Sequence, residues 1–307
     1  MKTLEILDNL FFIQRGYLNA NHFVCRTSPA VLVDTGYRDG IEDTLAVIAS
    51  LGVDVADTGL IINTHCHCDH IGGNRAIQVR SECQVAMHPV GRHFIGTRDD
   101  WSTWWRYYGQ AADFFDVTRS LADGEEVRLG DHVFEVIHTP GHAADGLVLY
   151  HKKAGVLLSA DTLWENDLAV MTLRIEGSDA VFRMLASLER IAALDVRQVF
   201  PGHGAPFADA AGAIARAMRR LEGYLADRSR IGSDLLKKII VYTLLMRKAV
   251  PSDDFFDQLM MTRWYQETVD LYFDGAYRAK YDEIIGSFLH RGVIRRRQDH
   301  FVTTVPP

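Results

Sequence analysis

The alternation of apolar and polar positions divides the chain into a strand-rich leading part and a helical trailing part. Phe11-Phe12-Ile13, His22-Phe23-Val24-Cys25 and Ala30-Val31-Leu32-Val33 are short β-rich runs separated by Gly, Asn, Ser and Pro, the residues of tight turns. The last of them leads into the turn signal Asp34-Thr35-Gly36. Apolar residues at Ile41, Leu45, Val47, Ile48 and Leu51 then follow a helical period. Leu60 to Asn63 and Cys83 to Met87 read as strands, and Glu126–Leu129 and Val133–Ile137 alternate around the turn at Gly130-Asp131. Gly146–Tyr150 and Gly155–Leu158 predict a hairpin. An amphipathic helix follows from Ala180 to Leu194, then a short strand at Val199-Phe200.

From about Ala210 the helical period dominates, most clearly over Ala213–Asp227, Ser233–Lys248 and Tyr281–His290. The runs Gly292–Arg295 and His300–Thr303 can pair as a small hairpin, and a helix followed by a hairpin is how a winged-helix module ends. The expected organisation is a mixed α/β (α+β) domain over residues 1–210 and a mainly helical, winged-helix-like extension over 211–307. Between residues 94 and 115, Trp101, Trp104, Trp105 and Tyr108 recur at i, i+3, i+4 and i+7, which predicts one aromatic helix face. Packing on the body, a lid over a site, and contact with a second copy in a homodimer all suit such a face.

One stretch is explained by neither core nor surface. Thr64-His65-Cys66-His67-Cys68-Asp69-His70 sets three imidazoles, a carboxylate and two thiols directly after the apolar run Leu60-Ile61-Ile62. Imidazole and carboxylate are the usual ligands of zinc and related divalent ions. His65 and His67 are two residues apart, so an extended segment turns both to one side and turns Cys66 and Cys68 to the other, as packing residues. Three further strand ends each deliver a single chemically active side chain: His142 after Thr139-Pro140-Gly141, Asp161 after Ser159-Ala160, and His203 after Pro201-Gly202. Sites built where several strands end are rigid.

Composition narrows the setting. Apolar residues make up 48% of the 307 and charged residues 24%, ordinary values for a globular chain. No apolar run reaches the ~20 residues needed to cross a bilayer, no secretory leader is evident, and four cysteines make no disulfide framework, so a cytoplasmic protein without a membrane partner is expected. The net charge of −7 is uneven: residues 1–215 carry 17 basic and 28 acidic residues, while residues 216–307 carry 16 and 12. An acidic body suits a site that collects divalent cations and repels a polyanion, which counts against nucleic acid as a partner. The triplet Arg295-Arg296-Arg297 keeps that partner open.

His65-Cys66-His67-Cys68-Asp69-His70 resembles the His-x-His-x-Asp-His signature of the metallo-β-lactamase superfamily of dinuclear metallohydrolases. Asp34-Thr35-Gly36, Thr139-Pro140-Gly141-His142, Ser159-Ala160-Asp161 and Pro201-Gly202-His203-Gly204 resemble its other motifs in its order, over roughly residues 10 to 207. The resemblance implies an αββα sandwich. It implies two divalent metal ions, zinc by default with iron or manganese as alternatives. His65, His67 and His142 would hold one, Asp69, His70 and His203 the other, and Asp161 would bridge them. It implies hydrolysis of a small-molecule substrate by a metal-activated water, with Asp69 also moving a proton. Glyoxalase II-like and acyl-thioesterase-like members carry a helical C-terminal extension that receives an anionic thiol carrier. Arg219 and Tyr224 are the matching candidates here, with Trp101, Trp104, Trp105, Tyr108 and Trp164 as candidate walls for an apolar or aromatic acyl group. Lactonases of the superfamily place a tyrosine three residues after the bridging aspartate, where this chain has Trp164. A phosphodiesterase or ribonuclease and a non-catalytic binding module are the remaining readings.

Overall fold

The computed structural model describes all 307 residues, and its contacts divide them into two units, Met1–Arg220 and Leu221–Pro307. The first unit holds two sheets. Seven strands form one, in chain order across the sheet: β1 (Lys2–Leu7), β2 (Leu10–Gln14), β3 (His22–Cys25), β4 (Ala30–Val33), β5 (Thr58–Ile62), β6 (Gln84–Met87) and β7 (Arg119–Ser120). Pairing is antiparallel from β1 to β4 and parallel from β4 to β7. The other sheet contains β8 (Glu126–Leu129), β9 (His132–His138), β10 (Leu147–His151), β11 (Val156–Ala160) and β12 (Gln198–Pro201), in the order β12-β11-β10-β9-β8. Only β11 and β12 run parallel in it.

Alternation along the strands explains how the sheets meet. Leu10 and Phe12 of β2, Phe23 of β3 and Ile62 of β5 share one buried cluster with Phe134 and Val136 of β9, Leu149 of β10, Leu158 of β11 and Phe200 of β12. Phe12 lies 5.4 Å from Phe23 and 5.3 Å from Phe200, ring centre to ring centre, so it joins the two layers. The outward positions of the inner strands are buried as well, and the helices of this part of the chain are α1 (Ile41–Ser50), α2 (Cys68–Ile71), α3 (Asn74–Ser81), α4 (Pro89–Thr97), α5 (Trp105–Tyr108), α6 (Leu173–Glu176), α7 (Ala180–Ala192) and α8 (Ala210–Ala226). The expected αββα layering is present, and strand β1 is an addition. Its residues are mostly exposed, so no buried face marked it in the sequence.

The second unit contains α9 (Ser229–Arg247), β13 (Val250–Pro251), α10 (Phe255–Met260), α11 (Arg263–Phe273), α12 (Tyr277–His290), β14 (Ile294–Arg297) and β15 (His300–Thr303). β13 pairs with β15, which pairs with β14, and α9 packs on α11 and β15. The unit therefore joins four helices to a small antiparallel sheet, with Phe255 in edge contact with both Tyr281 and Phe301. No helix of the chain is long and apolar enough to cross a membrane.

The expected aromatic helix over 94–115 does not form. α4 stops at Thr97, Asp99 accepts from the backbone N–H groups of Trp101 and Ser102 in a turn, and α5 is a single turn from Trp105. Trp104 between them has φ +72°, a left-handed conformation that ends any helix before it. The four aromatic residues therefore point to different neighbours.

Replacing Phe12 by Ala removes the ring that both sheets share and should cost about 3–5 kcal/mol in urea unfolding. Leu4→Ala on the exposed β1 should change stability by less than ~0.5 kcal/mol. Equal effects of the two would mean that the inter-sheet layer is not where the fold is held.

Candidate metal centre

Five strands of the first unit end at the same region, and each end supplies one part of a cluster. Beyond β5 the chain leaves the ladder at Asn63, bends at Thr64, reaches His65 and His67, and then turns into the one-turn helix α2, which carries Asp69 and His70. The ends of β9, β11 and β12 bring His142, Asp161 and His203 to the same place. The end of β4 brings Asp34, with φ +59°. Two glycines permit the approach. A Cβ on Gly72 would stand 2.1 Å from the backbone nitrogen of Arg38, and one on Gly202 would stand 2.2 Å from Oδ1 of Asp161.

The result is a buried group of five imidazoles and two carboxylates. Three overlapping sets have donor atoms within 4.8 Å of one another: His65, His67 and His142; His65, His70 and Asp161; and Asp69, His70 and His203. Asp161 lies between the first and the third, with Oδ2 3.3 Å from His142 Nε2 and Oδ1 3.5 Å from His70 Nε2 and 4.0 Å from His203 Nε2. Oδ2 of Asp69 stands 3.2 Å from His203 Nε2. The Nε2 atoms of His65, His67, His70 and His142 are buried and make no hydrogen bond. A buried polar atom without a partner is unfavourable, and so many in one place suit an arrangement that takes cations. The residues present fit divalent metal ions, and the clusters could hold them.

Outer hydrogen bonds fix the orientation of most of these rings. His70 Nδ1 donates to Oδ2 of Asp34 at 2.8 Å, His142 Nδ1 to the Val170 carbonyl at 2.7 Å, and His203 Nδ1 to the Gly16 carbonyl at 3.3 Å. His65 Nδ1 meets the Thr64 hydroxyl at 3.1 Å. Asp34 also accepts from the Thr64 backbone N–H and hydroxyl, so one carboxylate ties β4, the end of β5 and α2 together. Such partners set the tautomer and the direction of the free nitrogen.

The electrostatics follow from burial. It pushes His65 and His67 well below the ordinary histidine range, and neighbouring imidazoles add to the effect. For His70 burial acts in the same direction, but the carboxylates of Asp161, Asp34 and Asp69 outweigh it and hold the ring well above that range. Burial would raise Asp161, yet His70 and His203 keep it well below the usual carboxylate value. His65 and His67 are therefore neutral and Asp161 is ionised, the forms that ligate metal, whereas His70 and His203 are held toward the protonated form by the carboxylates beside them.

The remaining sequence-predicted residues are placed as follows. Trp104 lies against His67 with ring centres 3.9 Å apart and 5.1 Å from His142. Trp105 Nε1 donates to the carbonyl of Cys66. The Tyr108 ring lies 5.6 Å from that of Trp104, tilted by 56°, while Trp101 is half-buried beside Tyr107 with Arg174 over its ring. Trp164 Nε1 donates to Asp161 Oδ1 at 3.3 Å and its ring lies 5.1 Å from His203. Arg219 is exposed on α8, and Tyr224 belongs to the second unit. The Cys66 thiol is buried and donates to Oδ1 of Asp145. Sequence reasoning placed Asp34 in a turn and in a family-like motif without giving it a role, and did not single out Asp145 or Glu176. Only Asp34 carried a signal, the position of a carboxylate directly after a strand.

A sequence model described as the metallo-beta-lactamase superfamily matches residues 20–203. Among curated proteins, the chain is 27% identical over 240 residues to a probable metallo-hydrolase of Bacillus subtilis, covering 68% of this chain and 74% of that protein. It is 29% identical to a hydroxyacylglutathione hydrolase of Rhodospirillum rubrum, covering 66% and 67% respectively. It is 27% identical to a human acyl-coenzyme A thioesterase, covering 64% and 78%. Among solved structures, a metallo-beta-lactamase family protein from Thermus thermophilus superposes with a TM-score of 0.63 at 21% identity, over 97% of this chain and all of that one.

Asp34→Asn keeps the shape but turns an N–H or a weaker acceptor toward His70. Chelator competition should then show affinity for one ion reduced about 10- to 100-fold, the usual loss when such an outer partner is removed. Unchanged affinity would mean that Asp34 serves only the fold.

Proposed function

The chain belongs to the metallo-beta-lactamase superfamily and is one of its hydrolases, and we propose that it uses a two-metal site to cleave the ester or thioester bond of an apolar or aromatic acyl group. The observation that carries this reading is the set of seven converging donors in which Asp161 lies between two three-residue groups. In the proposal His65, His67 and His142 hold one ion, Asp69, His70 and His203 hold the other, and Asp161 is shared. Divalent ions held there would supply Lewis acidity toward a carbonyl oxygen and a nucleophilic water near neutral pH.

The chain's own residues do the rest. The acyl carbon gains the oxygen of water and loses its bond to the leaving sulfur or oxygen. Asp69, at the edge of the cluster beside His203, would take a proton from that water and return it to the leaving group. No serine or cysteine nucleophile is needed, and Cys66 and Cys68 are both buried. The aromatic group around Trp104 and Tyr108 stands next to His67 and His142, where an apolar acyl chain would meet it. Hydroxyacylglutathione hydrolase and acyl-coenzyme A thioesterase among the relatives favour a thioester, with Arg219 and Tyr224 as candidate contacts for the anionic carrier. Zinc is the proposed metal, and a cytoplasmic enzyme the proposed setting.

A phosphodiesterase is the second reading, supported by the helix-then-hairpin ending of the second unit and by exposed Arg295, Arg296 and Arg297 on β14. The 28 acidic against 17 basic residues of positions 1–215 oppose it.

Elemental analysis of the purified protein should give about two ions per chain, as a two-metal site requires, with Asp161→Ala and His203→Ala reducing the number. One ion per chain, insensitive to both changes, would rule out the dinuclear site.

A panel of acyl-coenzyme A thioesters, S-acylglutathione, lactones, aryl esters, bis-p-nitrophenyl phosphate and RNA, tested with zinc and with manganese, should show thioesters or esters cleaved and phosphodiesters intact. The opposite pattern selects the phosphodiesterase.

A further inference from the structure

Among the five converging histidines, His67 is oriented differently from the rest. His65, His70, His142 and His203 each have an outer hydrogen bond, to Thr64, Asp34, Val170 and Gly16. His67 has none: its Nε2 is buried without a partner, and no hydrogen bond reaches its other ring nitrogen. Whichever nitrogen faces a metal ion, the opposite one is not held. A ligand that can swing does not keep a defined direction, and metal-binding imidazoles almost always have an outer partner for that reason.

The Trp104 indole occupies the place of that partner. Its ring lies 3.9 Å from the His67 ring, inclined by 39°, and edge-on to His142. Trp104 is itself tightly determined. Its backbone is left-handed at φ +72°, a conformation that costs a bulky residue of the order of 1–3 kcal/mol and persists where surrounding contacts impose it. The indole has a partner distant in sequence: Nε1 of Trp104 donates to Oε1 of Glu176 at 2.8 Å. Glu176 sits in the single turn α6, buried, with Oε2 unpartnered. The backbone beside His67 is fixed separately, through Trp105 Nε1 on the Cys66 carbonyl and the Cys66 thiol on Asp145.

We infer that Glu176 is a positioning residue of the metal centre, holding the Trp104 indole against His67 so that ring stacking replaces the outer hydrogen bond this ligand lacks. The inference rests on the two-metal reading above and adds to it a residue that touches neither ion nor substrate. Burial pushes the Glu176 carboxyl up to about 7, so an uncharged acceptor of the same shape is a close substitute.

The test uses the full-length protein loaded with cobalt(II), read by its visible absorption spectrum and by chelator competition. Glu176→Leu and Trp104→Ala should weaken one of two ions about tenfold or more, the loss expected of an outer-partner deletion, and change the cobalt spectrum. Glu176→Gln should restore both. Trp104→Phe, which keeps a ring but loses the indole N–H, should behave like Glu176→Leu and carries the test if the leucine variant does not fold. Wild-type affinity and spectrum in Glu176→Leu or Trp104→Phe would overturn the inference. Fewer than two ions in the unmodified protein would instead overturn the two-metal reading on which it rests.

Discussion

Five imidazoles and two carboxylates share one buried space in this protein, and most of what surrounds them is a consequence. An unpaired buried polar atom costs about 1–3 kcal/mol, and four Nε2 atoms here have no hydrogen bond. Burial first, and the neighbouring imidazoles second, drive His65 and His67 neutral, while Asp161 stays ionised between His70 and His203. A side-chain group of this kind does not hold itself together. It must be imposed by a scaffold whose own stability is generated elsewhere, and a cation entering it would relieve it.

The two sheets are that scaffold. Their shared apolar layer, with Phe12 between Phe23 and Phe200, lies away from the donors and owes nothing to them. Strands β4, β5, β9, β11 and β12 carry the stability of that layer to their ends, where single residues leave the ladder at fixed positions. Asp34 shows the connection most directly. It terminates β4, accepts from Thr64 at the end of β5, and fixes His70 on α2. Register in the sheet is thus converted into the direction of an imidazole nitrogen. The same logic explains the glycines: at Gly72 and Gly202 the backbone must come closer to its neighbours than any Cβ allows.

What the sequence discloses depends on how local the cause is. The strands, α1, α7 and the long helices of the trailing part follow from apolar period alone, because each buries a continuous face. The seven donors are legible because ligand chemistry restricts residue type, and because each follows a strand with a turn at its end. The aromatic stretch was misleading for an equally local reason. Trp101, Trp104, Trp105 and Tyr108 have helical spacing, but Asp99 ties up the turn before them, and Trp104 is left-handed with its indole bonded to Glu176, 72 residues further on. No window of sequence contains that contact. β1 was invisible because it is an exposed edge strand, and Asp145 and Glu176 because a buried carboxylate looks like any surface acid until its neighbours are known.

The same distinction separates chemistry from substrate. Donor identity determines that water can be activated and a carbonyl or phosphoryl oxygen polarised, and that description is common to esters, thioesters, lactones and phosphodiesters. Discrimination lies in the side chains that crowd the donors without being donors. Trp164 illustrates how strongly one such residue constrains the options. Its indole packs on His203 and gives its only N–H to Oδ1 of Asp161. A tyrosine there would present a hydroxyl that can both donate and accept and that titrates near 10, available to a substrate oxygen or a departing alkoxide. An indole nitrogen is a donor only, and this one is already engaged with the carboxylate. In the proposed reaction, proton delivery to a leaving group would then fall to Asp69 rather than to Trp164. A thiolate leaving group, much less basic than an alkoxide, makes the smallest demand on that single carboxylate, and on this ground the thioester reading is preferred over the lactone.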